Sequence, residues 1–368
     1  MIYLDHAATT PICDAAKKVI IEHLDDFGNP SSAHSIGHKA LMLIEDARER
    51  IAKCINAEPD QIYFTSGGSE ADTMALNWMV TLASNLEHHA ICPQGYFKAC
   101  RSGIVNLNSI IKEIERQNML VEQNDINAPY DMISCMTVNN EIGTIQPIKL
   151  VAEIAHDNGL FFHTDAVQAV GHIPVDVKDF RCEMLSVSGH KFGAPKGIGF
   201  LYMEQPHMCD PIIYGGKQEQ GLRGGTENVL GIVSMAAALE DSITHMEERN
   251  VYIKELRDQL LSELLSIDGI NLNGSLDNRV VSNINVRIDG IKGQELVAMA
   301  DQYGICISAG SACNEGNPQP SHVLKAIGLT DEEALSSIRI TLGHENTLEE
   351  IDYVCRTLPK LIARLRAI

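Results

Sequence analysis

The 368-residue sequence predicts an α/β protein: a mostly parallel sheet flanked by helices, followed by a smaller α+β unit. Three observations carry that expectation. Short apolar runs alternate with helix-length stretches, the βαβ rhythm of a parallel sheet. Chemistry-bearing residues stand just past the ends of those runs, where open α/β sheets present their sites. After a long helical region, about Val229 to Leu265, strands and helices of a second compositional unit begin.

The elements follow in chain order. The opening DHAATTP, Asp5 to Pro11, is polar and proline-punctuated, and a helical pattern follows from Asp14 to about Asp25. FGNPSSAHSIGHKA, Phe27 to Ala40, is dense in turn formers and leads into a long helix to about Asn56. Its His34 and His38 read as a solvated pair; with no glutamate in an HExxH arrangement and no third ligand, no metal is expected. A strand, Gln61 to Thr65, runs through Ser66 to Ser69 into a helix from about Glu70, and Ser69 with Asp72 has capping-box spacing. The amides at such a helix start suit a phosphate, but the turn is neither GxGxxG nor a Walker A loop, which disfavours a nucleotide.

Leu82 to Ser102 shows no clear period; it contains EHHAI, Glu87 to Ile91. The rhythm then resumes: helix Leu107 to Gln117, strand Met132 to Val138, the loop VNNEIGTIQP, helix Ile148 to Asn158 and strand Leu160 to Thr164. That strand delivers Asp165, which by position is either a helix cap or a sheet-edge catalytic carboxylate. The next strand, Met184 to Val187, breaks at Ser188 and Gly189 and delivers Lys191 onto a glycine-bracketed turn. Burial there lowers the amine's pKa and makes it a nucleophile toward an aldehyde. In YGGKQEQGLRGGTENV, Tyr214 to Val229, Arg223 and Thr226 could add phosphate donors. The second unit brings strands near Val281 to Ile288, a helix Glu295 to Tyr303, strand Ile305 to Ser308, the Cys313 loop, strand Ser337 to Thr341 and a closing helix from about Leu348.

Composition narrows the function. The formal charge is 29 − 49 = −20, which repels phosphate backbones and argues against direct nucleic-acid binding. Ten dispersed cysteines with no CxxC pair form neither a zinc spacing nor a disulfide framework, and fit a reducing compartment. No apolar run reaches the ~18 residues of a membrane span, and the N-terminus lacks a signal pattern. A cytoplasmic protein is expected.

Nine blocks in order give the chain its resemblance. DHAATTP, FGNPSSAHSIG, TSGGSEAD, VNNEIG, HTDAVQAVG, SGHKFGAPKGIG, RGGTEN, SAGSAC and SSIRITLG resemble those of the pyridoxal-phosphate-dependent cysteine desulfurases of the NifS/IscS group, within the class V aminotransferase-like enzymes. The resemblance implies a fold-type I pyridoxal-phosphate transferase. Its large domain, 14–250, holds a mostly parallel sheet of the seven-stranded type; a small domain, 1–13 and 251–368, carries the catalytic cysteine loop.

It also implies roles. Lys191 matches the Schiff-base lysine, Asp165 the carboxylate that keeps the pyridine nitrogen protonated, Gln168 a bond to the ring hydroxyl and His88 the ring-stacking histidine and proton carrier. Asn140 matches a ring-side asparagine. Gly68, Ser69, Ser188, His190 and Thr226 match phosphate-binding positions, with Thr226 coming from the other subunit of a homodimer. Arg339 matches the clamp on the substrate carboxylate, a bidentate task that lysine does poorly, with Asn283 near the same end. Cys313 matches the nucleophile that takes sulfur from L-cysteine as a persulfide, leaving L-alanine, and passes it to an acceptor protein for iron–sulfur cluster assembly or for tRNA or cofactor thiolation. A selenocysteine lyase or another class V pyridoxal-phosphate enzyme is the alternative. The sequence departs from the family pattern in a shorter 82–102 stretch and in GHENT, Gly343 to Thr347, where GR-x-TT is usual.

Overall fold

A computed structural model describes residues 1–123, 128–206, 208–309 and 319–367. Cys313 and its neighbours therefore lie outside the described residues. The strands are β1 (Ile2–Tyr3), β2 (Ile62–Thr65), β3 (Thr81–Ser84), β4 (Gly95–Phe97), β5 (Met132–Ser134), β6 (Phe161–Asp165), β7 (Met184–Ser188), β8 (Gly199–Met203), β9 (Ile270–Leu272), β10 (Asn283–Ile288), β11 (Ile305–Cys306) and β12 (Ser337–Thr341). The helices are α1 (Asp14–Glu22), α2 (Ser35–Cys54), α3 (Gly68–Leu76), α4 (Leu107–Glu122), α5 (Ile148–Asp157), α6 (Val177–Phe180), α7 (Val229–Thr244), α8 (Met246–Leu265), α9 (Gly293–Gln302), α10 (His322–Ala326), α11 (Asp331–Leu335) and α12 (Leu348–Arg366).

The main sheet has seven strands in the order β2-β8-β7-β6-β5-β3-β4. β7, β6, β5, β3 and β4 pair in parallel, whereas β8 is antiparallel to both β2 and β7. Period-two alternation sends neighbouring side chains to opposite faces. Phe64, Ile133, Leu185 and Phe200 join the core under α2, α5 and α7, while Tyr63, Met132, Met184 and Leu201 join a second cluster with Ala71 and Met74 of α3. With both faces covered, the strands read as continuous apolar runs rather than alternating ones.

A second core belongs to β9, β10 and β12, which pair antiparallel. Leu256 and Leu260 of α8, Leu296 of α9 and Val354 and Leu358 of α12 pack on Ile284, Val286 and Ile338. The N-terminus crosses to this unit: β1 pairs in parallel with β11, and Leu4 is buried in its core.

Most expected elements stand where the periodicity puts them, and the departures have local causes. Leu82 to Ser102 contains β3 and β4, four and three residues long, too short to show a period. The helical region from Val229 breaks at His245 into α7 and α8. The Ser69–Asp72 capping box does not form: α3 starts at Gly68, its N-cap is Gly67 and no side chain caps it, while Asp72 is buried. His34 is an N-cap, its Nδ1 accepting from the Gly37 amide at 3.2 Å. No helix among the described residues is long and apolar enough to cross a membrane.

Candidate active site

Sheet register builds the centre of the site. Asp165 closes β6 opposite Ser186 of β7, and β7 ends at Ser188, from which a single 3-10 turn, Gly189–Lys191, swings the lysine over the strand ends. The turn needs its glycines: a Cβ on Gly189 would stand 2.9 Å from that of Ala194, and Gly193 has φ +93°. A cavity of about 150 Å³ opens here. Gly68 and Ser69 of α3 line one end. Asp165, Gln168, His88, Asn140, Ser188, His190 and Lys191 also line the cavity.

The opening segment is hydrogen-bonded to three of the lining residues. Lys191 Nζ donates to the Ala7 and Ala8 carbonyls at 2.7 and 2.9 Å, and Gln168 Nε2 donates to the Ala7 carbonyl at 3.0 Å. His190 Nδ1 sits 3.0 Å from Thr9 Oγ1, and the Thr10 amide donates to the His190 carbonyl. Burial, with the Arg339 charge nearby, brings the Lys191 amine down to about 8, against the opposing pull of Asp165 and Asp5. About a tenth of this amine is therefore neutral at pH 7, a state an ordinary lysine hardly populates.

Asp165 is 5% exposed and accepts the Val167 amide at 2.8 Å. Burial pushes it up to about 6, with the Val167 amide and Lys191 holding it back. Behind it Asp72 is buried and pushed well above the carboxylate range, by burial first and then by Asp165. His163, fully buried between Ser134 and Ser186, is held neutral down to about 3 by burial.

Arg339 comes from the other sheet. On β12, it sends Nη2 to Asp5 Oδ1 at 2.8 Å and Nη1 to the Asn140 carbonyl at 2.9 Å, while its buried Nε has no partner among the described residues. Asn283 accepts from Arg279 Nη1 at 2.7 Å and donates to the Glu141 carbonyl at 3.1 Å. Thr226 is exposed and does not line the cavity. Arg223 is committed to Glu70, 2.9 Å away, rather than to a phosphate position. Asp5, Glu87 and Glu141 were not singled out by sequence: the first two sit beside more conspicuous histidines, and the third is one glutamate in a loop of turn formers.

The donor set fits pyridoxal phosphate. α3 offers a helix start that no side chain caps, with Ser188 and His190 close by, suited to a phosphate. The buried Asp165 carboxylate suits a pyridinium, and an amine of lowered pKa suits an aldehyde.

The sequence profile of the aminotransferase class-V family matches residues 2–354. The chain belongs to that family. A cysteine desulfurase IscS from Methanosarcina thermophila is 39% identical over 99% of this chain and 93% of its own length. A cysteine desulfurase NifS from Azotobacter vinelandii is 35% identical over 99% of this chain and 93% of its own. A crystallographic NifS-like protein from Rickettsia africae superposes with a TM-score of 0.88 at 30% identity, covering 99% of both chains. As a family member the chain is a pyridoxal-phosphate enzyme with the large, mostly parallel sheet of its structural relatives.

Proposed function

We propose that this chain is a cysteine desulfurase that converts L-cysteine to L-alanine and holds the sulfur on Cys313 as a persulfide before passing it to an acceptor protein. The observation that carries the reading is the pairing of a neutralisable Lys191 and a buried Asp165 on one cavity, with Arg339 alongside. The relatives' names, spanning nearly the whole chain, support the same substrate. The reading keeps a large domain at 14–250 and a small one at 1–13 with 251–368, a division that the two separate cores support.

Gly68, Ser69, Ser188 and His190 would hold the cofactor phosphate, Asp165 the ring nitrogen and Gln168 the ring hydroxyl, with His88 and Asn140 also on the cavity. The cofactor supplies an electron sink for the substrate's α-carbon. Arg339 takes the substrate carboxylate. A buried N–H left unpaired costs about 1–3 kcal/mol, so Arg339 Nε, without a partner among the described residues, is a ready donor, and Asn283 serves the same substrate end. Lys191 would remove the α-proton, and His88 would move a proton at the substrate thiol. The Cys313 thiolate then attacks the substrate sulfur: an S–S bond forms, the Cβ–S bond breaks, and its electron pair stays with the three-carbon fragment, which takes up protons and leaves as alanine.

A homodimer brings Thr226 of a second copy to the phosphate. Its exposure here, and that of Phe27 and Tyr214 at 82% and 80%, support such an interface. The test is the visible spectrum of purified protein, together with alanine and sulfide release from L-cysteine and a reductant. Wild type gives a yellow protein and both products; Cys313→Ala stays yellow and loses both. Keto-acid formation, or turnover that survives in the variant, sinks the reading.

A further inference from the structure

Beyond the groups that meet cofactor or substrate, one satellite of the fold reaches the site from a distance. α10 and the turn after it do not join either main core. Val323, Leu324, Ile327 and Leu329 instead form their own small cluster with Leu86, Met136 and Ile142. Those last three side chains flank His88 and Asn140 in sequence, so this cluster packs beside the two segments that bring His88 and Asn140 to the cavity.

Two hydrogen bonds at the start of α10 set where it docks. Ser321, buried, accepts the Leu324 amide at 3.2 Å, so its proton is free to donate to Glu141 Oε2 at 2.6 Å. His322 Nε2 reaches the Glu87 carbonyl at 2.9 Å, and its ring packs on His89 with centroids 4.5 Å apart. One residue therefore ties to the segment that leads into His88. The other ties to Glu141, whose own carbonyl holds Asn283 and Asn285, and whose neighbour Asn140 gives its carbonyl to Arg339.

We infer that Ser321 and His322 are positioning residues for the desulfurase reaction, His322 acting through Glu87 on His88 and Ser321 acting through Glu141 on the Asn140–Arg339 end. The inference rests on the function proposed above. It gives adjacent residues different kinetic signatures, because they hold different loops. His322→Ala weakens capture of pyridoxal phosphate by the cofactor-free protein about fivefold and lowers kcat about tenfold, with KM for cysteine moved less than about twofold. Ser321→Ala raises KM about fivefold and leaves cofactor affinity within about twofold of wild type. His322→Gln, whose amide can donate to the same carbonyl, restores cofactor affinity and kcat.

Equilibrium binding of pyridoxal phosphate and steady-state alanine release, both below the melting temperature of every variant, read these effects. Equal losses in both alanine variants mean that the contact only stabilises the fold, and overturn the inference. So do His322→Ala values within twofold of wild type, or a His322→Gln that behaves like His322→Ala. A wild-type protein that binds the cofactor but makes no alanine removes the proposed function instead, and the cofactor-binding arm still reports on His322.

Discussion

Lys191 and Arg339 are the two cations of the site, and they arrive by opposite routes. Lys191 stands three residues past the end of β7, so the register of the main sheet fixes it locally. Arg339 lies within β12 of the other sheet and is aimed by Asp5 and the Asn140 carbonyl, groups distant in sequence. Their partners differ in kind as well. The lysine amine bonds two neutral carbonyls, whereas the guanidinium bonds a carboxylate. Burial without a hydrogen-bonded counter-ion turns the lysine into a usable base; the guanidinium is paired with a carboxylate and keeps one N–H without a partner among the described residues.

Removing the lysine gives the largest effect. Lys191→Ala is expected to lose at least ~10³-fold in alanine formation, since nucleophile and base go together. The pH dependence sharpens the point. Only the neutral amine captures the aldehyde, so capture of pyridoxal phosphate by cofactor-free wild type should speed up as pH rises through about 8 and level off above it. Stopped-flow absorbance across pH 6 to 10 checks this, read at ~0.5-unit steps. A rise centred near the ordinary lysine value would mean that burial does not tune the amine.

Breaking the second cation's anchor is a smaller change with an informative sign. Asp5→Asn keeps an acceptor for Nη2 but removes its charge. If Asp5 orients the fork, KM for cysteine should rise about fivefold with kcat nearly unchanged. A KM that falls would show that Asp5 competes with the substrate carboxylate instead of aiming its receptor.

The same contrast explains what was legible in the sequence. The β6 and β7 ends were readable because strand, turn and chemistry are contiguous: apolar run, Asp165; apolar run, glycines, Lys191. Asp5 was not, because its role exists only through a partner 334 residues away. β3 and β4 escaped for want of length. Ser69 looked like a cap because spacing alone cannot show that Gly67, with φ +153°, already occupies that position. The satellite cluster under His88 and Asn140 was invisible for the same reason as Asp5: its two halves meet only in the fold.

The smallest effect tests the rule on an acid. Glu87 is buried and accepts from Ser84 Oγ at 2.5 Å and the Met136 amide at 2.9 Å, with no cation bonded to it among the described residues. Burial pushes it up to about 8, so it is the carboxylic counterpart of Lys191. The unfolded chain gives up this proton near 4.5 and the folded one only near 8. Across that window the native state binds more protons, so the group's contribution to stability falls as pH rises. Glu87→Gln keeps an acceptor for Ser84 and Met136 and has no proton to lose. Its melting temperature should therefore gain on wild type steadily from pH 5 to pH 8, while kcat at pH 7 stays within about twofold. A gap between variant and wild type that does not change with pH would mean that Glu87 is ionised in the fold, and that a buried group here can keep its charge without a counter-ion.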